Sequence, residues 1–144
     1  MNLELIIDSK FKETLIKIFT NKVDNKIEKI INFTKTNKDV IIGYKNNELE
    51  ILKEEDIERI FIEDKTTFLI ANCQKYKSKS RLYEFDNLLN NNFIKISQSE
   101  IVNLNFIKKL DFSYKGTIML KFKNGDSTFV SRRNIKNFKN KLNI

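Results

Sequence analysis

The chain has 144 residues, 40% hydrophobic and 32% charged, with three Gly and no Pro. That is a one-domain length with enough apolar material for a core and no Pro/Gly-rich linker to divide it. The absence of His and the single Cys exclude histidine general-base, triad or zinc chemistry, an internal disulfide and a cysteine metal cluster. No window approaches the roughly 18 uncharged apolar residues of a membrane span. The start, Met1-Asn2-Leu3-Glu4-Leu5, lacks the basic-then-apolar order of a signal peptide, so a cytoplasmic protein is expected. Charge is unevenly sorted. Residues 65–144 carry 16 Lys+Arg against 5 Asp+Glu, whereas residues 1–64 carry 11 against 14. One basic half beside a near-neutral half is the electrostatic footprint of a polyanion binder.

In chain order, residues 2–8 and 14–19 read as strands, because Leu3, Leu5, Ile7 and then Ile16, Ile18 alternate with mostly polar neighbours. Residues 22–34 read as a helix whose apolar face is Val23, Ile27, Ile30, Ile31 and Thr34, with Asn21 as N-cap. A Lys/Asn/Thr-rich joint at 35–38 separates this β-β-α extension, residues 1–38, from a domain spanning 39–144. Short strands follow at 40–44, 48–52, 57–62 and 66–70, with Asn46-Asn47 as turn material between the first two. Residues 80–89 read as a short helix on Leu82, Phe85 and Leu89. Strands resume at 93–103, interrupted by a polar loop, and at 108–113 and 117–123. Asn124-Gly125 then signals a type I′ hairpin, and Ser131 caps a final helix on Ile135, Phe138 and Leu142. Many short strands, few helices and no β-helix-β alternation predict a mainly β fold with short helices, of α+β class and antiparallel.

Several groups bear on chemistry. Glu54-Glu55-Asp56 and Glu63-Asp64 could in principle hold Mg²⁺ for a nuclease, but adjacent acids in polar turns are ordinary surface, and no metal, cofactor or enzyme activity is expected. Cys73, in the run Thr67-Phe68-Leu69-Ile70-Ala71-Asn72-Cys73, reads as a small half-buried hydrophobe. Arg132 and Arg133 follow the expected cap Ser131. Cations in a first helical turn oppose the helix dipole, and the arrangement makes sense if an anion arrives there. Ser97-Gln98-Ser99-Glu100 breaks an apolar strand pattern and has donors and acceptors suited to base edges or phosphates; an ordinary hairpin turn is the alternative. The run Lys75 to Arg81, which includes Lys79, is either a solvated turn or an edge that tracks phosphates.

At these residues the chain resembles the LytTR DNA-binding domain family. Phe93-Ile-Lys-Ile-Ser-Gln-Ser-Glu-Ile-Val-Asn103 with Phe106-Ile107 looks like its central signature, and Val130-Ser131-Arg132-Arg133, after the Asn-Gly hairpin, looks like its C-terminal one. The match covers roughly residues 39–144 and rests on two motifs in the right order and spacing. The resemblance implies an elongated, mostly β fold that reads the major groove of double-stranded DNA through loops, in a transcriptional regulator. It implies base contacts from Arg133, from Gln98 with its flanking Ser97 and Ser99, and from Thr67, where the family often has histidine. Lys95 and Lys65 are the phosphate contacts it implies, Arg132 stands beside the reading arginine, and Lys79 would touch phosphate. The family's usual receiver domain has no room in the residues before 39, so the chain resembles stand-alone LytTR proteins of low-GC bacteria. In some such systems a small membrane protein accompanies the regulator. The Ile stripe of residues 22–34 must pack either on its own domain or on a second protomer as a homodimer. The competing reading is a non-catalytic protein-interaction or RNA-binding module on the same fold.

Overall fold

A computed structural model describes residues 2, 4–12, 15–35, 40–86 and 88–144. By its internal contacts the chain divides into two units, residues 1–37 and 38–144.

In the first unit, helix α1 spans Asn25–Lys35. Its N-cap is Asp24, whose carboxylate accepts the Lys26 and Ile27 N–H groups, both at 3.0 Å. A carboxylate there satisfies two orphan amides and suits the positive end of the helix, which is why Asp24 and not Asn21 starts it. Ile27 is buried, Ile30 and Ile31 are half-buried, and Val23, expected on the same face, is 59% exposed. The strands expected at 2–8 and 14–19 are a correction: the described residues of both spans carry none, and Leu5, Ile7, Ile16 and Ile18 are exposed. Alternation alone does not make a strand; two short ribbons with no further sheet to join are marginal in water. Residues 3 and 14, and most of the expected joint at 35–38, lie outside the described residues.

The second unit holds ten strands. Strands β1 (Ile41–Lys45), β2 (Glu48–Leu52), β3 (Ile57–Glu63), β4 (Thr66–Ala71), β5 (Gln74–Ser78), β6 (Phe93–Ser97) and β7 (Glu100–Asn103) form one antiparallel sheet in the order β2-β1-β5-β4-β3-β7-β6. Strands β8 (Ile107–Asp111), β9 (Ile118–Phe122) and β10 (Ser127–Val130) form a second, in the order β10-β9-β8, followed by helix α2 (Ile135–Leu142). This is the mainly antiparallel β fold with short helices that the spacing predicts.

Turn chemistry sets the register. Three two-residue loops have both residues in the left-handed region: Asn46-Asn47 (φ 51° and 62°), Asp64-Lys65 (49° and 63°) and Asn72-Cys73 (51° and 59°). That is the type I′ pattern, whose twist matches the flanking strands. The expected type I′ turn at Asn124-Gly125 is different. Only Gly125 has positive φ (96°); its N–H bonds Phe122 O at 3.1 Å, and Phe122 N–H bonds Asp126 O at 2.8 Å. This is the three-residue loop closed by a left-handed glycine. At Gly43 an added Cβ would lie 2.8 Å from the Tyr76 side chain, so β1 can pass this close to β5 only without one.

Two of the sequence expectations give way to packing. The helix expected over 80–89 is a single 3-10 turn at Leu82–Phe85, whose Glu84 carboxylate accepts the Arg81 N–H. Leu82 and Phe85 at i, i+3 are both buried, a spacing one tight turn satisfies as well as a helix does. The basic run from Lys75 is largely strand β5, paired along its length with β4.

Period-2 alternation along β6 and β7 divides the core. Phe93 and Ile101 face a cluster with Ile41, Leu52, Ile57, Ile60, Leu69, Tyr76 and Phe85. Ile94, Ile96 and Val102 face a second, with Ile118, Leu120, Phe122, Val130 and Phe138, which joins the two sheets and α2. The β6–β7 hairpin is therefore the shared wall of both cores.

Candidate nucleic-acid interface

The register brings the separate motifs to one end of the unit. The β3–β4 turn carries Lys65. Beside it lies the β6–β7 turn, because β3 pairs with β7 and the Ile62 N–H bonds Ser99 O at 2.9 Å. Strand β5 ends at this side too, since Ser78 pairs with Thr67, and Lys79 follows it. The second sheet joins through the chain leaving β10: the Ser131 N–H donates to Ile96 O at 2.8 Å. Lys65, Ser97, Gln98, Ser99, Lys79, Arg132 and Arg133 thus share one end of the fold, although the chain separates them by up to 68 positions.

Each loop is pinned by its neighbours. In the β6–β7 turn the Ser99 N–H donates to Ser97 Oγ at 3.2 Å, and the two hydroxyls lie 3.3 Å apart. Serine here closes the turn on itself, and Gln98 is left exposed at its tip. The arginine segment is held by Asn134. Its Oδ1 accepts the Ser131 hydroxyl at 2.7 Å and its Nδ2 donates to Lys95 O at 3.1 Å. One amide therefore ties the Arg132-Arg133 turn to the strand that leads into Gln98.

The expected cap is corrected in two respects. Residues 132–134 form a 3-10 turn, and α2 begins only at Ile135, so the arginines precede the α-helix. The Ser131 hydroxyl bonds the Asn134 side chain and not a helix amide. The dipole argument for the arginines weakens accordingly, while their exposure and position beside β6 remain.

Of the other expected residues, Lys65 and Lys79 are exposed, and Lys79 Nζ lies 4.9 Å from the Tyr44 ring centre. Lys95 is half-buried and lines a small cavity of about 60 Å³ with Phe85, Asp86, Leu89 and Asn90. Thr67 is a correction. At 8% exposure it is packed into β4, which leaves no free side chain for a groove. Cys73 is also corrected: β4 stops at Ala71, so Cys73 sits exposed in the turn, and its N–H bonds Glu58 Oε1 at 2.8 Å. The Glu58 charge, with some desolvation, raises its thiol above the ordinary value, the opposite of an activated nucleophile.

The acids lie elsewhere. Glu54 accepts the Asn90 N–H, and Glu63 pairs with Lys75 at 2.9 Å. No group of three or more acids, cysteines or histidines suited to a metal ion occurs among the described residues. The only other ion pair among them is Arg59 Nε to Glu100 Oε1 at 3.2 Å. No described carboxylate therefore neutralises Lys65, Lys79, Arg132 or Arg133, and this end of the fold presents unpaired cations.

Sequence reasoning missed a further loop at this end, residues 112–117 between β8 and β9. Ile118 pairs with Val130, and the Thr117 hydroxyl donates to Val130 O at 2.6 Å, which seats the loop beside Arg132. The signal was long-range strand pairing, invisible in local pattern.

A family model, the LytTr DNA-binding domain, matches residues 47–143. The chain belongs to the LytTr DNA-binding domain family. The LytTr match includes the β3–β4 turn, the β6–β7 turn, the 112–117 loop and the arginine turn. A relative named as an uncharacterized HTH-type transcriptional regulator, from Staphylococcus aureus strain MSSA476, is 35% identical over 146 residues, which cover 100% of this chain and 99% of the relative. One of the same designation from strain NCTC 8325 is 34% identical over the same span. Among solved structures, the LytTr DNA-binding domain of a methyl-accepting/DNA response regulator from Bacillus cereus superposes with a TM-score of 0.70 at 26% identity, covering 73% of this chain and 97% of that one. The relatives' designation and the fold diverge in one respect: α1 and α2 lie in different units with ten strands between them, so they form no helix-turn-helix. No described helix is long and apolar enough to cross a membrane.

Proposed function

We propose that this chain is a transcriptional regulator that binds double-stranded DNA sequence-specifically, reading the major groove through loops at the end of the fold that carries Lys65, Gln98 and Arg133. The observation that carries the reading is the convergence of three separate loops, on two sheets, into one surface of unpaired cations and exposed amide and hydroxyl groups. Family membership and the regulator names of the relatives support it. Arg133 supplies a planar fork suited to guanine O6 and N7, and Gln98 an amide suited to adenine N6 and N7. Lys65, Lys79 and Arg132 supply phosphate contacts that fix register without reading sequence. The buried Thr67 has no part in base recognition on this reading.

Residues 1–38 are assigned no DNA contact. Their lysines and acids are nearly balanced, and the Ile stripe of α1 suits packing on the chain's own domain or self-association.

Selection of a preferred duplex from random DNA, followed by competition titrations, tests the proposal. With about five phosphates neutralised, log K against log[salt] should have a slope of about −4 to −5. Arg133→Ala should weaken the selected duplex by roughly ten- to a hundredfold and barely change scrambled duplex. Arg133→Lys should restore little, because a point charge does not replace the fork. A salt slope near zero, or preference for single-stranded RNA, would end the reading in favour of the interaction-module alternative. A chain shortened to residues 39–144 should keep its site preference; a folded but indiscriminate domain would overturn the assignment of the first 38 residues.

A further inference from the structure

Arg132 does not simply duplicate Arg133. Its guanidinium lies over the 112–117 loop: a Cβ added to Gly116 would be 3.6 Å from Arg132 Nε and 3.9 Å from Cζ and Nη2. Gly116 has φ +74°, a conformation that glycine adopts without strain. The loop thus presents bare backbone at the point where the arginine crosses it. The next residue back, Lys115, is exposed. Tyr114 is braced edge-on against Phe129, ring centres 5.2 Å apart, which holds the loop in place. The nearest acid in sequence is already engaged: Asp111 Oδ1 accepts both the Ser113 N–H at 2.9 Å and its hydroxyl at 2.6 Å. Neither Arg132 nor Lys115 forms an ion pair with any described acid.

Two cations on adjacent loops, with no carboxylate between them and a bare glycine beneath one, suit an incoming oxyanion better than a neighbouring side chain. We propose that the 112–117 loop is a further DNA contact, in which Lys115 and Arg132 grip one backbone phosphate next to the base-reading arginine. This rests on the DNA-binding reading above and extends its footprint to a loop that reading does not use. Arg132 and Arg133 then divide the work: the first holds the sugar-phosphate chain across the loop, and the second is free to enter the groove.

The test uses the full-length chain, with fluorescence anisotropy on the selected and on a scrambled duplex across a salt series. Loss of one phosphate contact forfeits one counterion released. Lys115→Ala should therefore weaken both duplexes about fivefold at 0.15 M salt and make the slope shallower by about one unit. Lys115→Glu should weaken both further and leave the ratio between them unchanged. Gly116→Ala, checked for folding by circular dichroism, should weaken both duplexes by displacing Arg132; the Lys115 variants carry the test if that protein does not fold. Unchanged affinity and slope in Lys115→Glu, with Arg133→Ala still erasing site preference, would overturn the loop contact alone. Absence of salt-dependent duplex binding by the unmodified chain would overturn both proposals.

Discussion

Asn134→Ala is the most informative perturbation of the interface, because it separates the two reading loops without touching either. The wild-type amide makes two hydrogen bonds, from the Ser131 hydroxyl at 2.7 Å and to Lys95 O at 3.1 Å. Alanine loses both and leaves the backbone bonds Ser131 N–H to Ile96 O and Asn134 N–H to Ser131 O in place. Each such bond contributes about 0.5–1.5 kcal/mol net, and the site is half-exposed, so water replaces part of the loss. A stability loss of roughly 1–2 kcal/mol follows, readable by urea denaturation at constant m-value. With the turn no longer held to β6, Arg133 should sample positions off the groove, and the selected-to-scrambled affinity ratio should fall about tenfold, equivalent to about 1.4 kcal/mol. Asn134→Asp should do no better, since a carboxylate cannot donate to Lys95 O and would attract the arginines. If stability falls while the ratio holds, Asn134 is an ordinary structural amide and the coupling between the loops is refuted.

Other consequences concern the frame. Phe138 is fully buried in the cluster that joins the sheets, so Phe138→Ala should cost about 3–5 kcal/mol by denaturant titration. Glu58, 2% exposed, accepts the Cys73 N–H at 2.8 Å and Asn124 Nδ2 at 3.0 Å; Glu58→Ala should cost roughly 2–4 kcal/mol, since charged acceptors contribute most but both partners can rehydrate. Burial raises the Glu100 carboxyl, with the Thr128 hydroxyl and Arg59 opposing. A carboxyl raised on folding favours the native state most at low pH, and that advantage is lost as pH rises through the raised value. The stability of the wild type relative to Glu100→Gln should therefore decline between about pH 4 and pH 7, and a difference that grows with pH would reverse the assignment.

The hairpins were legible because their cause is local. Period-2 alternation in Ile57–Ile62 and 93–103, with Asn or Asp at the turns, states both the strands and their reversal. Strand β5 was not, because only Tyr76 of Gln74–Ser78 is buried while Lys75 lies over Phe68, its Nζ 4.1 Å from the ring centre. A lysine shielding an aromatic on an open sheet face looks, in sequence, like a solvated turn. The N-terminal alternation misled for the opposite reason: it specifies a face but supplies no partner. Within the site, Gln98 and the arginines were visible as local anomalies. The burial of Thr67 and the approach of the 112–117 loop to Arg132 depend on which strands pair, which no short window encodes.

The turn at Asn72-Cys73 lies at the opposite end of the sheet from Gln98, tied through Glu58 to the β9–β10 loop. The chain's one thiol is exposed there. Nature has thus left a single chemical handle on the side that, on the proposed reading, faces away from the duplex. A maleimide dye at Cys73, coupled at mildly alkaline pH because the thiol is reluctant to ionise, would make a site-specific fluorescent reporter from the unmutated chain. Paired with an acceptor on one end of an oligonucleotide, it would give the direction in which the protein sits on its operator by energy transfer.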